Sequence, residues 1–187
     1  TSMDGIDAAF LKTDGLFHVE VGEAITVAYS EDLRHKLSEL VSSGMYSKNV
    51  EEQITVKHAE VITQLLKKTN TAVDEIDLIG FHGHTVFHCP ARRKTLQIGD
   101  GELLAKLTGV DVVCDFRSND VKQGGQGAPL VPLYHQAVAT KLTKPLAILN
   151  LGGVANISWL GHEDELLAFD TGPGNALLDD FINLHLG

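Results

Sequence analysis

Phe169-Asp170-Thr171-Gly172-Pro173-Gly174-Asn175 is the stretch whose reading decides the fold. The apolar run Leu166-Leu167-Ala168-Phe169 before it predicts a buried strand that delivers Asp170 to a strand tip. Thr171 to Gly174 then predict a turn whose glycines and proline set the backbone path. Asn175 is placed to cap a helix over 176–185, with Leu177, Leu178, Phe181 and Ile182 as one apolar stripe. A carboxylate beside free helix N–H groups, at a strand end, is where α/β proteins bind ligands. A capped turn with a solvated aspartate fits these seven residues equally well.

Working outward, Leu146–Leu151 and Val154–Leu160 read as strands joined by a tight Gly152-Gly153 turn, and a third strand covers 165–169. The first part of the chain has a related order. A small-residue loop over Thr1–Asp7 precedes a strand at 8–11, a second strand at 24–29 and a helix that Ser30 caps and Gly44 ends. A longer helix is expected over 47–69, burying Ile54, Val61, Ile62 and Leu65. Further strands are expected at 76–81, 96–98 and 110–114, with a short helix after Asp100 carrying Leu103, Leu104 and Leu107. The polar segment 118–127, with Gly124-Gly125-Gln126-Gly127, reads as a mobile loop. Pro129 and Pro132 open a helix reaching about residue 142. The alternation of strands and helices gives an α/β class, with residues 1–143 as a first lobe and 144–187 as the opening of a second, similar one. The chain starts at Thr1 in mid-loop and stops directly after a helix, so both ends look cut.

A formal net charge of −10 argues against broad nucleic-acid or anionic-membrane binding. No apolar run has transmembrane length and no signal peptide is visible. Cys89 and Cys114 are far apart and read as reduced thiols of an intracellular, cytoplasmic protein, Cys114 as a buried one.

Glycine-rich turns let backbone N–H groups approach a polyphosphate, because no side chain blocks the way. Thr1-Ser2 and Gly152-Gly153 are such turns, although a Gly-Gly pair also suits a plain hairpin. Neither is a Gly-Lys-Ser/Thr phosphate loop. His82 and His84, with His88 and Cys89 nearby, admit two readings: a shared metal ion, or neutral hydrogen-bond partners of a polar ligand. Arg117 is either a clamp for a carboxylate or phosphate or a surface arginine. Asp120, with the glycines behind it, could close over a ligand. Asp4 and Asp7 either orient a Mg²⁺-bound water or cap turns.

Seven segments, in order, resemble the anhydro-N-acetylmuramic acid kinase family. They are Thr1-Ser2-Met3-Asp4-Gly5-Ile6-Asp7, Gly80–Thr85, Leu96–Asp100, Asp115-Phe116-Arg117, Gly124–Pro132, Asn150–Asn156 and Phe169–Asn175. The resemblance implies an actin-like, sugar-kinase ATPase fold: a mixed sheet flanked by helices, and the start of a second lobe. It implies ATP-dependent phosphorylation of 1,6-anhydro-N-acetylmuramic acid with hydrolytic opening of the anhydro ring, in peptidoglycan recycling. ATP with Mg²⁺ is expected, and a homodimer is suggested. By the same resemblance Asp170 is the general base, and the loop Thr1–Asp7 meets the phosphates together with Gly152 and Gly153. His82, Gly83, Thr85, Arg117, Asp120 and Asn175 are the candidates for holding the sugar. Two rival readings are a metal-dependent hydrolase using His82, His84 and His88, and a non-catalytic ligand-binding piece.

Overall fold

The computed structural model describes residues 3–163 and 165–186. Thr1 and Ser2, the first two residues of the expected phosphate loop, lie outside them. Contact density divides the chain into two units, one of 3–10 and 21–128 and one of 11–20 and 129–186. The architecture is mixed α/β, as the alternation of elements predicts.

A hairpin of β1 (Gly5–Thr13) and β2 (Val19–Ala28) leads into α1 (Glu31–Ser43). The Ser30 side chain accepts the Leu33 N–H at the start of this helix, and Gly44 closes it in the left-handed region. The long helix α2 (Lys48–Thr69) follows. The strand expected from residue 76 is shorter, β3 (Ile79–Phe81), because Val73–Glu75 form a 3₁₀ turn before it. The segment His84–Cys89, to which the sequence reading assigns no element, is strand β4, antiparallel to β5 (Lys94–Ile98). Helix α3 (Gly101–Thr108) starts on the Asp100 carboxylate, which accepts the Leu103 N–H, and β6 (Val112–Cys114) pairs parallel to β3. Among the described residues the strands of this unit form three separate ladders rather than one mixed sheet.

The core of this unit has two patches. Leu33, Leu37, Leu40, Val50, Ile54, Val86 and Ile98 form one, joined by Met3, Tyr29 and Leu96. Ala59, Phe81 and Leu104 form the other. Fully burying each large aliphatic chain contributes about 1.5–3 kcal/mol. Two expected core positions differ: Leu107 is exposed, and so is Cys114, whose sulfur packs over the backbone of Gly101.

The expected mobile loop at 118–127 begins instead as α4 (Ser118–Gln123), anchored by the buried Val121 and closed by Gly124. In the other unit α5 (Pro132–Val138) precedes the antiparallel sheet of β7 (Leu146–Leu151), β8 (Val154–Leu160) and β9 (Leu166–Pro173), followed by α6 (Ala176–Leu186). Strand β9 passes through Asp170 to Pro173, so Asp170 lies within the strand and not at its tip. The apolar stripe of α6 is not buried: Leu177, Leu178, Phe181 and Ile182 are each half or more exposed. Leu149, Leu151, Leu167 and Phe169 are exposed on one face of the sheet.

Candidate functional site

Asp170 takes its position from strand register. In β7–β9, Asn150 stands opposite Asn156 and Asn156 opposite Asp170, so the three polar side chains form one row across the sheet. The next row on the same face is Ile148, Ser158 and Ala168, where the buried Ser158 hydroxyl bonds to His135 Nδ1 of α5 at 2.9 Å. Burial lowers the pKa of His135, so the neutral imidazole is favoured there. Directly after Asp170 the register slips by one, and Thr171 is the extra residue of a β-bulge. Its hydroxyl donates to the Ala155 carbonyl at 3.2 Å. The bulge ends the regular pairing just beyond the polar row and leaves the Asp170 carboxylate exposed.

Three N–H groups at and just before the start of α6, expected to be free, are engaged. Gly174 N–H donates to Gly153, Asn175 N–H to Gly152 and Ala176 N–H to Gly153. Asn175 does not hold the helix start with its side-chain oxygen as expected. Its carbonyl accepts the Leu178 and Asp179 N–H groups, and its side-chain amide donates to the Leu151 carbonyl at 3.0 Å. The Gly152-Gly153 turn is therefore stapled to the β9–α6 connection through its carbonyls. A Cβ at Gly174 would stand 2.1 Å from the Gly152 carbonyl oxygen, so only glycine allows this approach.

The expected phosphate loop is partly strand. Gly5, Ile6 and Asp7 belong to β1, and the Ile6 side chain is buried. The strand extends this far because Gly5 admits the Val27 carbonyl, which a Cβ would meet at 2.5 Å. Asp4 is exposed, and its carbonyl accepts the Tyr29 N–H. Asp7 Oδ1 accepts the Thr26 hydroxyl at 2.6 Å. Burial, with the nearby Asp7 charge second, pushes Tyr29 up to about 12.

The other cluster gathers His82, Gly83, Arg117 and Asp120. Gly83 is left-handed (φ 68°) and lies so close to Ile98 that a Cβ would meet its carbonyl oxygen at 2.3 Å. That turn separates His82 from strand β4, so His82 and His84 do not share the face that alternation along one strand would give them. The Gly83 carbonyl can only accept, so His82 Nδ1, 3.0 Å away, carries the proton. His82 Nε2 is then a free lone pair, and it accepts Arg117 Nε–H at 2.7 Å. Arg117 Nη1 donates to the Gly127 carbonyl at 3.0 Å, while the Gly127 N–H donates to Asp120 Oδ2 at 2.7 Å. The Gly125 N–H donates to the Asp120 carbonyl. Asp120 thus ties down the glycine segment instead of standing ready to close over a ligand. Burial lowers the pKa of both His82 and Arg117.

His84 is buried and its pKa falls to about 4, through desolvation first and the neighbouring His82 and His58 after it. The three-histidine metal reading is not favoured by this geometry. Both His82 nitrogens are engaged, one of them with a guanidinium that would repel a cation, and His88 Nδ1 bonds to Thr95. Thr85 sits in β4, where its hydroxyl accepts from the Gln97 amide.

The family model for anhydro-N-acetylmuramic acid kinase matches residues 1–187. The chain belongs to the anhydro-N-acetylmuramic acid kinase family. A protein of that name from Paramagnetospirillum magneticum is 51% identical over 187 residues, covering 100% of this chain and 53% of its own length. Those of Rhodospirillum rubrum and Acidiphilium cryptum are 49% and 46% identical, with 51% and 52% of their lengths covered. The chain spans about half the length of the curated relatives it matches.

Two members of the polar row escaped the sequence reading of this kinase-family chain. Asn150 and Asn156 lie inside a recognised segment, but only the three-strand register shows that they flank Asp170. The Gly127 backbone was also missed, since nothing in a glycine run says which carbonyl meets an arginine.

Proposed function

We propose that this chain is part of an ATP-dependent kinase. It would phosphorylate 1,6-anhydro-N-acetylmuramic acid while cleaving the anhydro ring, giving N-acetylmuramic acid 6-phosphate for amino-sugar recycling in the cytoplasm. The observation that carries this reading is the family match over the whole chain. The exposed Asp170 carboxylate, in a row with two asparagines, supports the part assigned to it. The reading includes an actin-like fold, with 1–143 as a first lobe and 144–187 opening a second, and a homodimeric assembly.

In this mechanism Asp170 takes a proton from the water that attacks the anomeric carbon. The water oxygen bonds to that carbon, the bridging oxygen leaves it, and the bridging oxygen stays on the neighbouring methylene and takes the phosphoryl group. General-base help of this kind is worth about 10²–10⁴-fold. ATP would supply the γ-phosphoryl group, its bond to the β-phosphate oxygen breaking and ADP leaving. Thr1–Asp7 with Gly152 and Gly153 are assigned to the nucleotide. Because Ile6 is buried and Gly5–Asp7 are paired in a strand, that contact would come from the backbone before them and from exposed carboxylates. Mg²⁺ commonly keeps several waters and takes one or two carboxylates besides the phosphates, a demand that exposed Asp4 and Asp7 fit. His82, Gly83, Thr85, Arg117, Asp120 and Asn175 are assigned to the sugar. Asp120 and Asn175 would act by holding the loops in place, given the bonds they already make.

The test is incubation of the full-length protein with the anhydro-sugar, ATP and Mg²⁺, followed by mass spectrometry. A product carrying both one phosphate and one added water supports the reading. Phosphate transfer without ring opening, or no transfer, refutes it.

A further inference from the structure

The β4–β5 hairpin and α4 flank an open groove of about 470 Å³, within the size range of small-molecule sites. Its floor is apolar. Val86 is the extra residue of a β-bulge in β4, and the slip sets Phe87 opposite Leu96, both half-buried. Its rim is cationic, with Arg93 and Lys94 from the hairpin and Lys122 from the last turn of α4. None of its lining residues is among those assigned above to the sugar or the nucleotide.

The convergence of these cations is what distinguishes the groove. The chain carries 25 acidic residues against 15 basic ones, yet no acidic residue lines the groove among the described residues. Arg93, Lys94 and Lys122 form no ion pair or side-chain hydrogen bond there either. Arg93 closes the 3₁₀ turn at Pro90–Arg92 in the left-handed region (φ 53°), a conformation uncommon outside glycine. A Cβ on Gly124 would stand 3.9 Å from Arg93 Nη2, so the guanidinium crosses from the hairpin to the end of α4. The Thr95 hydroxyl is taken up by His88 and Gln97, whereas the half-buried Ser118 hydroxyl makes no hydrogen bond among the described residues.

We infer that this groove is a binding site for a small phosphate monoester. Arg93, Lys94 and Lys122 take the phosphate, the Ser118 hydroxyl donates to it, and the body of the ester lies on Phe87 and Leu96. A phosphate monoester carries about −1.5 to −2 charges and three acceptor oxygens, which matches three cations and a hydroxyl better than one carboxylate does. The Arg93 fork can hold two of those oxygens at once, with the lysines as point charges beside it. A nucleic acid, which also carries phosphates, is disfavoured by the net charge of −10 around this one local patch. A sugar phosphate and a mononucleotide share the required chemistry.

Calorimetry on the full-length protein tests this with N-acetylglucosamine 6-phosphate, AMP, inorganic phosphate, and the unphosphorylated N-acetylglucosamine and adenosine. At least one ester should bind about tenfold or more tightly than both inorganic phosphate and its own unphosphorylated parent. Arg93→Gln and Lys122→Gln should each weaken that ester about 10–100-fold, the range of a hydrogen bond to a charged group. Lys106→Gln removes a cation from α3, outside the groove, and should leave the affinity within about threefold. All three side chains are exposed, so each variant should keep its Tm within about 2 °C. The ester that responds to the groove variants identifies the source, sugar phosphate or nucleotide. Binding of neither ester overturns the inference, as does inorganic phosphate binding equally well. An ester affinity that either groove variant leaves within about threefold places the ester elsewhere and overturns it too, and so does an equal loss in Lys106→Gln.

Discussion

Substituting Gly83 with alanine asks whether the turn that positions His82 depends on close approach or only on backbone conformation. Two costs add at this position. The left-handed conformation (φ 68°) costs a non-glycine residue about 1–2 kcal/mol. The new Cβ would also stand 2.3 Å from the Ile98 carbonyl oxygen, so that oxygen must withdraw by about 1 Å to reach ordinary contact. Ile98 is fully buried and stands opposite His84 in the β4–β5 ladder. Disturbing that rung adds about 1 kcal/mol. The sum is about 3 kcal/mol, which for a chain of this size lowers Tm by about 6–12 °C. Gly15 is the control. It too is left-handed (φ 78°), but a Cβ there meets nothing within 4 Å. Gly15→Ala should therefore pay only the conformational cost and lose about 2–8 °C, less than Gly83→Ala in the same protein. Thermal unfolding of both variants by circular dichroism makes the comparison. Equal losses would refute the argument from the Ile98 carbonyl.

Stability should fall with acid through His84. Its folded pKa of about 4 lies below the ordinary histidine value, so the unfolded chain binds the extra proton first. The contribution is whole above about pH 6.5, and about 2–3 kcal/mol is lost on going down to pH 4. His84→Leu should flatten that part of the profile, and an unchanged slope in urea titrations would contradict it. Asp120→Ala removes the acceptor for the Gly127 N–H. It should raise the rate of limited proteolysis within 118–128 by about tenfold, the equivalent of one lost bond to a charged group, and cleavage at the unaltered rate would show the loop is held otherwise. Thr171→Val deletes the hydroxyl bonded to the Ala155 carbonyl at the bulge, at about 1 kcal/mol. A variant of undiminished Tm would show that the hydroxyl does not help to hold the bulge.

Helices with caps written into the chain were legible. Ser30 and Asp100 cap as their spacing predicts, and Gly44 closes α1 in the left-handed region. The hairpin at Gly152-Gly153 was equally plain, since two apolar runs flank it. Legibility failed where a long-range contact overrode local composition. The polar run 118–127 reads as loose, yet Val121 is buried and Asp120 pins Gly127, so part of it is helix. The stripe of α6 reads as core by its spacing, but spacing says only which residues share a face, not whether that face is covered. At the site, residue types pointed to His82, Arg117 and Asp170. The tautomer of His82, the partner of Asp120 and the Asn150–Asn156–Asp170 row come from backbone register, which a sequence carries only indirectly.

The most direct measurement is turnover by Asp170→Asn in the full-length protein, compared with the unaltered enzyme at saturating anhydro-sugar, ATP and Mg²⁺. Because Asp170 is exposed, the variant should keep its circular dichroism spectrum and its Tm within about 2 °C. Its kcat should fall about 10²–10⁴-fold, the worth of a general base. A kcat within about threefold of the unaltered enzyme would remove Asp170 from the proton-accepting role and contradict the account.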